Sequence, residues 1–206
     1  MIEREATYED HQELAQELRD LVDLVATHSL DEAAVRDAKE ALAAVRASLS
    51  AAAASVPTRR PDAIPRWPVE RSAVSGPLNP FAPPLVVTDH GDELVGTMTY
   101  PRSLQGPPEH AHGGHLAMVF DHLAGRMAAR AGKPIVTGRL AVRYHAPTPV
   151  GTPIRFVAKL RESRHSLVTI DCTAFDGATK TSSAEITFVE LGASHFVKAF
   201  GRLGEN

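Results

Sequence analysis

A chain of 206 residues, 43% hydrophobic and 23% charged, has the length of one ordinary domain plus an appendage and the composition of a globular protein. Its single cysteine, Cys172, excludes an internal disulfide and a thiolate metal site, and no run of 18 apolar residues offers a membrane span. The net charge of -3 is uneven: residues 1–50 carry 12 acids and 5 bases, the rest 13 acids and 17 bases, and those bases are not interleaved with aromatics as on a nucleic-acid surface.

The first twelve residues, MIEREATYEDHQ, show neither the basic nor the apolar region of a signal peptide, so a cytoplasmic location is expected. Residues 7–54 read as two helices. Leu14, Leu18, Leu21 and Val25 recur at helical spacing, and so do Val35, Ala38, Leu42, Val45 and Leu49. Ser29 followed by Glu32 has the form of a capping box and predicts the second helix start. The short ATHS between them favours an antiparallel hairpin, placing a helical unit at 1–56. Two such narrow stripes bury too little to stand alone. The hairpin must pack on the body, as a cover for one edge, or on another subunit.

Residues 57–84 form a proline-rich linker. Eleven of the fifteen prolines lie between Pro57 and Pro108, so this stretch is expected to run extended over a surface, with Trp67 pinning it to the body. The body spans 85–190. ELVGTMTY (93–100) alternates as a strand, a helix is predicted from Gly113 to about Ala131, and Gly132 and Pro134 end it. Alternating runs around 139–144 and 154–161 follow, then SLVTIDCTAF and KTSSAEITFVEL, joined through Asp176-Gly177 as a hairpin. One long helix followed by a meander of strands implies an α+β domain, with one face of an antiparallel sheet packed on the helix. In the tail, 191–206, HFVKAF suits a short helix.

The predicted helix carries the chemistry. On a helical wheel Leu116, Phe120, Leu123 and Met127 share the side expected to face the sheet. His115, Val119, His122, Arg126 and Arg130 form a second stripe, expected to face water or a subunit boundary. Asp121 belongs to neither; its neighbours are Ala117, Ala124, Gly125 and Ala128. Small residues around a carboxylate leave room for another backbone or for a ligand. Such an acid either pairs with an arginine such as Arg139 or Arg143, or serves as a general base. At the helix start, His112-Gly113-Gly114 offers unpaired backbone N–H groups and close access, which suits polarising a carbonyl.

The stretches GPPEHAHGGHLAMVFDHLAG and VTGRLAVRYHAPTPVGTPI resemble the PaaI-like thioesterases of the hotdog-fold superfamily, over roughly residues 76–190. That resemblance implies a long central helix wrapped by a curved antiparallel sheet, here with an N-terminal helical hairpin added. It also implies hydrolysis of acyl-coenzyme A thioesters without metal or cofactor, and homodimers or dimers of dimers with active sites at the interface. His112, Asp121 and Thr137 keep the family's spacings of nine and sixteen residues. By resemblance, Gly113 N–H and the helix dipole, helped by His112, polarise the thioester carbonyl. Asp121 activates water or attacks directly, and Thr137, from the partner subunit, orients the water. Gly114, Arg139 and Arg143 are assigned to substrate binding. Arg155, Lys159, Arg161 and Arg164 are further cations in or beside the strands, of which a minority is expected to meet coenzyme A phosphates. The asparagine used by another branch has no counterpart, since position 106 is glycine.

Other readings fit less of the pattern. Zinc on His110, His112, His115 and His122 leaves the glycines without a role. Hotdog dehydratases use a different loop, and the chain has no GxSxG nucleophile motif. A non-catalytic acyl-CoA or acyl-carrier binding scaffold with the same fold is the main alternative, against which Asp121 and Thr137 count.

Overall fold

The computed structural model describes residues 7–54, 69–81, 85–132 and 134–192. Two helices come first, α1 (Tyr8–Thr27) and α2 (Glu32–Ala54). Thr7 and Asp10 close a capping box at the start of α1. The start of α2 differs from expectation: Asp31, not Ser29, supplies the capping oxygen, accepting from Ala34 N–H at 2.8 Å. Asp31 immediately precedes the first helical residue and so reaches the third N–H of the first turn.

The body is a six-stranded antiparallel sheet around α3 (Gly113–Ala128). Its strands are β1 (Val86–Asp89), β2 (Glu93–Thr99), β3 (Ile135–Tyr144), β4 (Pro153–Arg164), β5 (Leu167–Asp176) and β6 (Thr179–Glu190). They lie in the order β1-β2-β4-β5-β6-β3. The short edge strand β1 was not anticipated: VVTD has little alternation and, among the described residues, pairs only with β2. The expected helix end is as read, a 3-10 turn at Ala129–Ala131 closed by Gly132 at φ 69°.

The core lies between α3 and the sheet. Leu116, Phe120, Leu123 and Met127 are all buried, and Phe120 stands edge-on to Phe156 at 5.7 Å. Each such side chain contributes roughly 1.5–3 kcal/mol by leaving water. The small residues beside Asp121 serve the same packing. Ala124 and Ala128 are buried, and Gly125 lies under the Phe188 ring of β6.

The second helical stripe departs from expectation. Val119 is 1% exposed, part of the core, and His122 is half-buried beside the segment 72–76. Ser75 Oγ is 2.8 Å from His122 Nε2. The described part of the linker is therefore folded rather than extended: a 3-10 turn at Val69–Arg71 leads into tight turns that bury Ser72 and Ser75. Those turns are held from α1, where the Arg19 guanidinium donates to the carbonyls of Gly76, Pro77 and Asn79. Asp23 accepts from Ser103 N–H at 2.8 Å. So α1 packs on the body largely through polar contacts, while every residue of α2 is exposed. Leu18 of α1 faces Leu42, Val45 and Leu49 of α2 across an open groove. Trp67 and HFVKAF lie outside the described residues.

Candidate active site

The helix N-terminus is built by a short loop and two side chains. His112 is the N-cap, in extended conformation, and its Nδ1 accepts from Gly114 N–H at 3.0 Å. That bond fixes the neutral ring with its proton on Nε2, leaving an exposed donor. It also occupies Gly114 N–H, so of the two glycines only Gly113 presents an N–H without a partner among the described residues. Across the first turn, the Tyr144 hydroxyl of β3 donates to the Gly113 carbonyl at 2.8 Å. A Cβ on Gly113 would sit 2.9 Å from Tyr144 Cζ and Oη, so residue 113 must be glycine for this approach. Gly113, Leu116, Tyr144, His145, Pro147 and Thr148 line an open cleft of about 430 Å³ here.

Asp121 is the other candidate centre. It is half-buried at the margin of α3, and Thr137 Oγ1 donates to its Oδ1 at 2.8 Å. Both residues of this pair belong to one chain. A β-bulge makes the contact possible. The register of β3 on β6 shifts between Thr137 and Arg139, with Gly138 as the extra residue. Without it, residues 137 and 139 would point to the same face. With it, Thr137 turns in toward α3 while Arg139 turns out and pairs with Glu185 at 2.8 Å. A Cβ on Gly138 would meet Val189 Cγ2 at 2.7 Å, so a larger residue there would have to displace that methyl.

No arginine pairs with Asp121 among the described residues, so the ion-pair reading of this acid gives way to a hydroxyl-held carboxylate. The other cations are mostly engaged. Arg161 bonds Asp171 and Glu185, Lys159 pairs with Glu93, Arg164 with Glu162, and Arg155 lies over the Phe175 ring. Only Arg143 of that set has no ionic or aromatic partner among the described residues. The histidines are dispersed: His110 bonds the Pro108 carbonyl, His122 bonds Ser75, and His115 stands edge-on to His112. Burial pushes the His122 pKa down to about 4, and burial beside His112 also lowers that of His115. Among the described residues no three metal-ligating side chains converge. Cys172 is buried with its thiol 3.9 Å from the Phe120 carbonyl, and burial raises its pKa, with the charges of Asp171 and Asp121 adding to the effect. It is a small core residue rather than a nucleophile.

Sequence reading missed Tyr144, which it placed only as a strand residue. Its register beside the helix start is set by sheet pairing and leaves no local signal.

Residues 109–183 match the family model described as the thioesterase superfamily. With the helix wrapped by the sheet, the body has the hotdog fold, as the resemblance implied. A crystal structure described as a thioesterase superfamily protein matches at 28% identity and a TM-score of 0.77, covering 87% of this chain and 94% of its own. That share reaches beyond the matched stretch 109–183 into the N-terminal segment. A Streptococcus mutans UA159 protein, solved bound to acetyl-CoA, matches at 15% identity over 52% of this chain and 89% of its own, with a TM-score of 0.50. PaaI of E. coli matches at 15% identity over 52% and 80%, with a TM-score of 0.49. No described helix is long and apolar enough to cross a membrane.

Proposed function

We propose that this protein hydrolyses acyl-CoA thioesters to free acid and coenzyme A. The observation that carries the reading is one helix with two prepared groups: at its start a Gly113 N–H opening on a cleft without a partner among the described residues, and at its middle Asp121 held by Thr137. A thioester is already a good electrophile with a good leaving group, so one oxyanion donor and one base meet its needs. Asp121 removes a proton from water as the oxygen attacks the carbonyl carbon. The developing oxyanion is met by Gly113 N–H, the helix dipole and His112 Nε2–H. When the C–S bond breaks, the thiolate takes up the proton that Asp121 holds. Direct attack by Asp121, through an acyl-enzyme anhydride, is the variant mechanism; single turnover in oxygen-18 water distinguishes them, since only direct attack places label in the Asp121 carboxylate.

Geometry supports a paired enzyme. Eight residues of helix separate Gly113 and Asp121 by about 12 Å along the axis, whereas reacting atoms must approach to roughly 3–3.5 Å. One thioester cannot meet both in the same chain. We therefore assign the site to a homodimer, alone or within a dimer of dimers, in which Gly113 of one copy faces Asp121 of the other. The outer edge of β3, which among the described residues pairs only with β6, agrees with a second copy beside it. A cytoplasmic location suits a coenzyme A substrate.

The test is release of coenzyme A from a panel of acyl-CoAs by the wild type and by Asp121→Asn. Hydrolysis by the wild type and a loss of at least about a hundredfold in the variant are expected. Full activity in the variant, or no hydrolysis of any acyl-CoA, overturns the proposal; binding of acyl-CoA without turnover would identify the scaffold alternative instead.

A further inference from the structure

The end of β3 is held firmly by β6. Tyr144 lies directly across from Ser182, which is fully buried, and the N–H groups of His145 and Ala146 both donate to the Thr181 carbonyl, at 2.8 and 3.0 Å. This backbone sets the Tyr144 ring against Gly113, where its hydroxyl donates to the Gly113 carbonyl at 2.8 Å. A phenylalanine would make the same ring contact. The hydroxyl is a separate feature, on a side chain that is 54% exposed and would otherwise stand in water.

The hydroxyl opens a chain of hydrogen bonds. The Gly113 carbonyl and the Gly114 N–H belong to one peptide unit, and resonance couples the charge on its oxygen to the polarity of its N–H. A donor at the oxygen therefore makes the N–H a stronger donor. Gly114 N–H donates to His112 Nδ1 at 3.0 Å, which leaves the ring proton on Nε2. Every link runs in one direction, from the Tyr144 hydroxyl through the peptide and the imidazole to Nε2–H. That last donor has no partner among the described residues. Gly106 keeps it open: a Cβ there would lie 3.2 Å from His112 Cδ2, the ring carbon beside Nε2, so bare backbone packs against that edge.

We propose that Tyr144 is a positioning residue: through the 113–114 peptide it holds the His112 ring and strengthens Nε2–H as a donor to the oxyanion. This rests on the hydrolase reading above, in which that proton meets the oxyanion, and deepens it. Tyr144 touches no reacting atom, and its effect reaches the substrate only through His112.

The experiment is a double-mutant cycle of Tyr144→Phe and His112→Ser, with nitrogen NMR of the His112 ring in the wild type and in Tyr144→Phe. Serine keeps an acceptor at the helix start and removes the imidazole. Tyr144→Phe should lower kcat for acyl-CoA about three- to tenfold, the range of one neutral hydrogen bond, with KM unchanged. In the His112→Ser background the same change should alter kcat by less than about twofold, because its route to the substrate is gone. An equal loss in both backgrounds, a rise in KM alone, or no change at all overturns the proposal. NMR should show the wild-type ring protonated at Nε2 with Nδ1 accepting, and in Tyr144→Phe the Gly114 amide should exchange about threefold faster or more. A wild-type ring protonated at Nδ1, or a Gly114 amide indifferent to the hydroxyl, overturns it as well. Should the wild type hydrolyse no acyl-CoA, the hydrolase reading falls, and the NMR alone decides whether Tyr144 holds His112.

Discussion

Replacing Thr137 with valine tests the chemistry at its narrowest point. The change keeps a β-branched side chain of similar volume on β3 and deletes one donor. In the wild type that donor meets Asp121 Oδ1 at 2.8 Å. A hydrogen bond to a charged group is worth about 1.5–3 kcal/mol, which corresponds to roughly 10- to 150-fold in rate. Residue 137 is exposed in the single chain, so water can partly replace the hydroxyl and the lower end applies, about tenfold in kcat/KM. Thr137→Ser keeps the donor and should stay within about threefold of wild type, while fold stability should differ by no more than about 0.5 kcal/mol in either variant. The assay is coenzyme A release followed with a thiol reagent, alongside denaturant midpoints. The reasoning fails if the valine variant retains half or more of the wild-type rate, or if serine and valine are equally impaired.

Gly113→Ala should abolish most activity while leaving the body folded, because the new methyl displaces the Tyr144 ring and hydroxyl that hold the first turn; Tyr144→Phe in the same background, measured by kcat, should restore little, since the ring contact persists. His122 makes folding acid-sensitive. Above pH 6.5 the ring is neutral whether folded or unfolded, and between 6.5 and about 4 only the unfolded chain takes up the proton, so stability falls by roughly 3 kcal/mol at the limit. His122→Gln should flatten that part of the profile between pH 7 and 4.5, read as denaturant midpoints; an unchanged slope would count against it. Arg19→Ala removes the donor to three carbonyls of 76–79 and should loosen α1 from the body, visible as faster amide exchange in 72–79 with little change in the sheet.

Much of the molecule follows from sequence alone. The helix at 113 declared itself through Gly-Gly at its start, the periodicity of Leu116, Phe120, Leu123 and Met127, and Gly132 at its end, all local preferences of backbone and burial. The β5–β6 hairpin followed from Asp176-Gly177, where Gly177 takes φ 54°. Asp121 stood out because a carboxylate among small residues is costly to bury without purpose. What sequence could not decide depends on contacts distant along the chain. The Gly138 bulge, which separates Thr137 from Arg139, is a matter of register between β3 and β6 and has no local signature. The neighbours of the arginines were undetermined for the same reason: which cation meets an acid is fixed by which strands lie side by side. The helical wheel points His122 toward water or a subunit boundary, whereas Ser75 of the segment 72–76 meets it there, since a wheel records direction and not what lies in it. Local sequence thus set the helix, the turns and the reactive groups; sheet pairing and the covering segment decided which of those groups touch.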